Sequence, residues 1–138
     1  MFTTETTTAQ FLDYLSKRDL QNLVNLFSDN IKWEVPGDTK KVPWLGKRNS
    51  KGEIEEFFKI LWKSTQPLSA DLHKIFIIED QAVITGQFST KMLRTNKVVD
   101  SMFFIHLIVK NQKIVSYKLL EDSFAVSKAM DERDFNGK

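Results

Sequence analysis

The sequence contains no cysteine, which excludes disulfides, thiolate metal ligands and cysteine nucleophiles. It has two histidines, His73 and His106, with no second ligand-type spacing around either, so no zinc-like motif is present. Glycine is scarce, at five residues, and the stretch "WLGKRNSKG" (44–52) is not a phosphate-cradling loop. No apolar run approaches the length of a membrane span. Residues 1–10, "MFTTETTTAQ", lack a basic n-region and an apolar h-region, so a signal peptide is not expected. A reducing compartment fits these absences, and we expect a cytoplasmic protein with no membrane association, no metal and no cofactor. Neither sign of charge dominates, with 20 basic against 18 acidic residues and a net +2. Lys40, Lys41, Lys47, Arg48 and Lys51 gather around one loop, which reads more simply as a solvated segment than as an anion-attracting rim. Nucleic acid is therefore not an expected partner.

What the sequence does have is rings. Eleven phenylalanines in 138 residues, with 41% hydrophobic residues overall, give a chain of one-domain length much apolar surface to bury or to offer to a ligand. We expect a single domain over residues 1–138. Two tryptophans, Trp33 and Trp44, flank the loop "VPGDTKKVP" (35–43), either closing a core or lining the mouth of a cavity.

The order of elements follows from periodicity. Thr7 and Gln10 form a candidate capping box before Phe11, Leu12, Tyr14 and Leu15, which recur at helical spacing. Leu20, Leu23, Val24, Leu26 and Phe27 suggest a second short helix, ended by the turn residues Ser28–Asn30. Ile31, Trp33 and Val35 alternate as one face of a strand, which Pro36-Gly37 stops. Ser50 and Glu53 open a third helix through about Lys63, with Ile54, Phe57, Phe58, Leu61 and Trp62 as its stripe. Four strands are then expected, Leu72–Glu79, Gln81–Leu93, Lys97–Val109 and Ile114–Glu121, separated by the polar turns "EDQ", "RTNK" and "KNQ". Ser123 is a candidate cap for a last helix over Phe124–Met130. Helices followed by hairpin-joined strands predict an α+β architecture, an antiparallel sheet with helices on one side.

The stretches "FLDYLSKRDLQNLVNLFSDNIKWEVPG" (11–37), "PWLGKRNSKGEIEEFF" (43–58) and "KIVSYKLLED" (113–122) resemble the nuclear-transport-factor-like superfamily, which includes ketosteroid isomerases and SnoaL-like polyketide cyclases. The resemblance covers nearly the whole chain. It implies a cone-shaped, strongly bent antiparallel sheet wrapped around three helices, a pocket at the wide end, and homodimers that pair through the sheet. It also implies a small apolar or aromatic molecule as the ligand.

The resemblance further implies where chemistry would sit. Ketosteroid isomerases use an aspartate base with a tyrosine and a protonated acid as oxyanion donors. The matching positions here are Val35 for the base, Phe11 for the oxyanion tyrosine and Phe58 for a supporting tyrosine. Steroid-type isomerisation by that mechanism is thus not expected. The remaining acidic position, on the fourth strand, falls within Phe104–His106, where His106 alone can ionise and can serve as acid or base near neutral pH. Histidine would share a strand face with Asp100 and Phe104, whereas Val99, Ser101, Phe103, Ile105, Leu107 and Val109 form the more apolar face. The sequence leaves open which of the two faces the pocket. Tyr14, one turn beyond Phe11, is a second catalytic candidate, and Tyr117, Glu121 and Asp122 are further polar candidates. The pocket lining expected is Phe11, Trp33, Val35, Trp44 at the rim, Phe58, Leu61, Phe104, Tyr117, Leu119 and Asp122. Two function classes remain open: an isomerase, cyclase, dehydratase or hydrolase-type enzyme, or a non-catalytic ligand-binding or dimerisation module.

Overall fold

A computed structural model describes residues 3–132 of the chain. Ten elements follow in order: α1 (Thr3–Lys17), α2 (Leu20–Asn25), β1 (Phe27–Val35), β2 (Gly46–Arg48), α3 (Lys51–Ser64), β3 (Thr65–Ile78), β4 (Gln81–Met92), β5 (Val98–Lys110), β6 (Lys113–Glu121) and α4 (Ser123–Ala129). The six strands form one curled sheet in the order β2-β1-β6-β5-β4-β3. All neighbours are antiparallel except β1 and β6. Helices α1 to α3 pack on the concave face, which makes this the expected α+β class.

The first helix starts earlier than its threonines suggest. Thr4, Thr7 and Thr8 are buried, and with Phe11 they form an i, i+3, i+4, i+7 stripe against the sheet. The hydroxyl of Thr4 donates to the Glu79 carbonyl at 2.8 Å. Thr7 and Gln10 therefore lie inside the helix and do not cap it. The second capping box holds. Glu53 N–H donates to Ser50 Oγ at 3.2 Å, and the Glu53 carboxylate accepts from Asn49 N–H at 2.9 Å. The last helix is capped by Asp122, one residue before the expected Ser123, its carboxylate accepting from Ala125 N–H at 3.0 Å.

Three strands also differ from expectation. Ser28–Asn30 is not a turn: it lies in the irregular first half of β1, where the register against β6 shifts between Phe27 and Lys32. Strand β2 is too short for periodicity to reveal. Strand β3 runs back through Pro67 to Thr65. Proline is tolerated there because β3 is an edge strand whose outer backbone groups pair with nothing in the sheet.

The core is aromatic at its narrow end. Trp33 stacks on Tyr117 at 3.9 Å between ring centroids and meets Phe57 edge-on at 4.7 Å. Phe27 and Phe58 approach Trp33 edge-on at 5.6 and 5.8 Å. Edge-on and offset contacts are the favoured geometries for such rings. At the wide end the loop after β1 folds inward. Asp38 organises it, accepting from Lys40 and Lys41 N–H through its carboxylate and from Val42 N–H through its carbonyl. Val42, Trp44 and Leu45 are thereby buried together with Val126, Ala129 and Met130 of the α4 segment. The ion pair Lys41–Asp131, at 3.1 Å, ties the loop to the end of that segment. Among the described residues, no helix is long and apolar enough to cross a membrane.

Candidate functional site on the concave face

Strand pairing decides which side chains share a face. On β5 the residues Val99, Ser101, Phe103, Ile105, Leu107 and Val109 are buried, and Val98, Asp100, Met102 and Phe104 are exposed. The concave face is therefore the Ile105 face. His106 and Phe104 lie on the other side, which corrects their expected pocket positions. The His106 ring pairs with the Gln81 side chain through Nε2 at 2.8 Å, and Phe104 is 45% exposed.

Directly opposite the concave residues of β5 stand those of β6: Phe103 faces Glu121, Ile105 faces Leu119, and Leu107 faces Tyr117. Opposite partners in an antiparallel pair point to the same side, so Tyr117, Leu119 and Glu121 form one concave row. The floor beside them is set by Gly86, which lies opposite Phe103 on β4. A Cβ at Gly86 would come within 2.4 Å of the Asp71 carbonyl oxygen and 2.5 Å of the Phe103 ring, so only glycine lets the ring lie there.

Glu121 is the chemically distinct member of this row. Among the described residues its carboxylate has no hydrogen bond or ion pair, and it is half-buried on a largely apolar face. Its chain neighbour Asp122 is fixed by two contacts: its N–H donates to Ser101 Oγ at 2.9 Å and its carboxylate caps α4. Burial raises the Glu121 carboxyl, and the Asp122 charge adds to the rise, to about 7. A carboxyl ionising near neutrality can both accept and return a proton. Burial, and secondarily the Glu121 charge, also raises the Tyr117 phenol, so it remains protonated at ordinary pH.

The other expected site residues divide into three groups. Phe11, Trp33, Val35, Phe58 and Tyr117 are gathered in the buried core. Leu61, Leu119 and Tyr14 are half-buried and pack against that core. Trp44, expected at a rim, is 3% exposed and fills the wide end, because the Asp38-centred loop turns it inward. Asp122 spends its carboxylate on the helix cap and is not free to line a pocket. Among the described residues, no group of three or more metal-type ligands comes together.

A model of the SnoaL-like domain matches residues 8–117, and the chain belongs to that family. The fold recurs in an NTF2-like protein from Burkholderia xenovorans, with TM-score 0.85, 14% identity, and 94% of this chain and 96% of that one covered. It is also similar to a protein provisionally named an isomerase, from Rhodopseudomonas palustris, with TM-score 0.76, 18% identity, and 88% and 90% covered. A third neighbour is TerC, co-crystallised with polyporic acid, with TM-score 0.78, 14% identity, and 93% and 98% covered. At these identities the likeness is one of fold. No curated protein matches the chain in sequence at a significant level.

Proposed function

We propose that the chain is a SnoaL-like enzyme that moves a proton on a small apolar or aromatic molecule held against the concave face, with Glu121 as the acid/base. The observation that carries this reading is a carboxyl placed opposite Phe103 on an apolar strand face, with no partner among the described residues. Isomerisation, cyclisation and dehydration can each proceed through such a group, and the fold neighbour TerC, which was co-crystallised with polyporic acid, is in keeping with a small organic ligand. His106 takes no part in this reading. Turnover of a substrate found by screening enolisable aromatic ketones should follow a titration near pH 7. It should be abolished in Glu121→Gln and unaffected in His106→Gln. Full activity of Glu121→Gln would refute the assignment.

A second reading, a non-catalytic module, is favoured by the closure of the wide end by Trp44, Leu45, Val126 and Met130. Either reading includes a homodimer through the sheet. Strand β3 is exposed along all but its first residue, and Leu72, Phe76 and Ile78 on it are 54%, 52% and 72% exposed. Met102, Phe104 and Leu120 extend this apolar surface across the convex face. An uncovered apolar edge of that length invites pairing, and a second copy covers it symmetrically. Sedimentation should give twice the 16.1 kDa chain mass, and the double variant Phe76→Lys/Phe104→Lys should dissociate. A monomer at high micromolar concentration would refute the dimer.

A further inference from the structure

The wide end is closed by two short segments, the loop 38–45 and the α4 segment 122–131. Val42, Trp44 and Leu45 of the first are buried together with Val126, Ala129 and Met130 of the second. Their backbone hydrogen bonds are internal: Val42 N–H donates to the Asp38 carbonyl, and Val126 and Met130 N–H to those of Asp122 and Ser127. Among the described residues, neither segment makes a backbone-to-backbone hydrogen bond to the rest of the chain. Side chains make the attachments. Lys41 Nζ meets Asp131 Oδ2 at 3.1 Å and joins the two segments. From the β4–β5 turn, Thr95 Oγ donates to the Ala129 carbonyl at 2.6 Å, and Lys97 Nζ donates to that of Asp131.

These segments are built differently from the sheet they cover. At seven residues α4 is too short to keep its shape in water without docking. The loop lies between Gly37 and Gly46, whose φ angles are +156° and +110°, and glycine absorbs backbone rotation at the least steric cost. Parts of a fold held by side chains alone, outside any ladder, open at lower free energy than the ladders do. Their position matters for the concave row. Asp122 N–H is held by Ser101 Oγ at one end of α4, and Ala129 is held by Thr95 at the other. Ser101 and Thr95 bracket the first residues of β5, so α4 spans the concave face there, where Val99 is 1% exposed. Phe103 and Glu121 lie next along the same face.

We propose that the loop 38–45 and the segment 122–131 are the two halves of a gate, which opens as one unit to admit the ligand to the Glu121 row and has the Lys41–Asp131 ion pair as its latch. The halves move together because each buries the apolar residues of the other. The latch is stronger than a surface ion pair because Asp131 is 8% exposed. A gate also reconciles a closed wide end with a site behind it. The proposal rests on the concave row being the ligand site, but the opening is measured without a ligand.

The test is hydrogen exchange of the native full chain at increasing urea concentration. The Val42, Val126 and Met130 amides should exchange through one opening that low urea does not affect, and much faster than the ladder amides of β4 and β5. Asp131→Asn and Lys41→Met should each accelerate all three amides by roughly three- to ten-fold and leave β5 unchanged. The chain has no cysteine, so Leu119→Cys places a single thiol in the concave row. Its alkylation by iodoacetamide should accelerate by the same factor when Asp131→Asn is added. Exchange of these amides only through global unfolding overturns the gate, as does acceleration of one half without the other. Alkylation that ignores Asp131→Asn overturns its placement over the row. None of these readouts uses Glu121, so an inactive carboxyl behind an opening gate would refute the enzymatic reading alone.

Discussion

Replacing Glu121 by glutamine should make the protein more stable at alkaline pH and leave it nearly unchanged at acid pH. The carboxyl ionises at about 7 in the folded chain against an ordinary value of 4.5. The folded state therefore binds this proton more tightly than the unfolded chain does. Its favourable contribution is fully present below pH 4.5 and is lost as pH rises through 7. The whole displacement corresponds to roughly 3 kcal/mol between the two charge states. Glu121 is only half-buried, so water reduces the realised amount to about 1–2 kcal/mol. Glutamine imitates the protonated form and does not ionise, so it removes this loss. The assay is urea unfolding of parent and variant at several pH values between 4 and 8.5. Other carboxylates titrate in the same range, so the informative quantity is the difference between the two proteins at each pH. That difference should be near zero at the acid end and reach about 1–2 kcal/mol in favour of the variant above pH 7. A difference that does not change with pH would show that the Glu121 carboxyl is solvated, and the proton-transfer reading would lose its basis.

Trp44→Ala and Trp33→Ala should each cost about 3–5 kcal/mol of stability, the range for deleting a buried aromatic, because both rings are almost fully enclosed. An unchanged unfolding midpoint for Trp44→Ala would return that ring to the surface. The protein should show no measurable isomerisation of a Δ5-3-ketosteroid, since the resemblance matches Val35, Phe11 and Phe58 to the base and hydroxyl donors of that chemistry, and all three are apolar and buried. Turnover at the rate of an ordinary enzyme would refute the residue matching.

Much of the fold was legible because it rests on periodicity. The third helix was readable from Ser50 and Glu53 together with a stripe of rings, and the structure uses both signals. The hairpins were readable from polar turns, and Asn96, Asn111 and Gln112 there adopt the positive φ such turns require. Local signals failed where tertiary contacts outweighed them. Thr7 has the chemistry of a cap, but its burial against the sheet places it mid-helix. Ser28–Asn30 has the chemistry of a turn, and Asn30 N–H donates to Ser28 Oγ at 3.2 Å, but pairing with β6 on either side, at Phe27 and Lys32, draws the segment into β1 as an irregular stretch. Trp44 sits in a polar loop, and nothing local reveals that Asp38 turns that loop inward.

The site was less legible because its chemistry depends on strand parity, which is a long-range property. A strand shows two faces, and a shift of one residue exchanges them. Read alone, β5 offers His106 on one face and Ile105 on the other. Only the packing of helices against the Ile105 face decides between them. Once that face is fixed, pairing carries the choice to β6, where Leu107 opposite Tyr117 and Phe103 opposite Glu121 follow without further freedom. The alternation Tyr117, Leu119, Glu121 was already visible in the sequence, two residues at a time. The same parity that turns the histidine outward turns the glutamate inward. The candidate proton carrier thus changes from the His106 imidazole to a carboxyl that reaches the neutral range through burial and a neighbouring charge. This is why the acid/base assignment is tied to the packing of the concave face. Any substitution that hydrates that face, such as a polar residue at Leu119, should lower the Glu121 carboxyl toward its ordinary value and move the pH profile of activity with it.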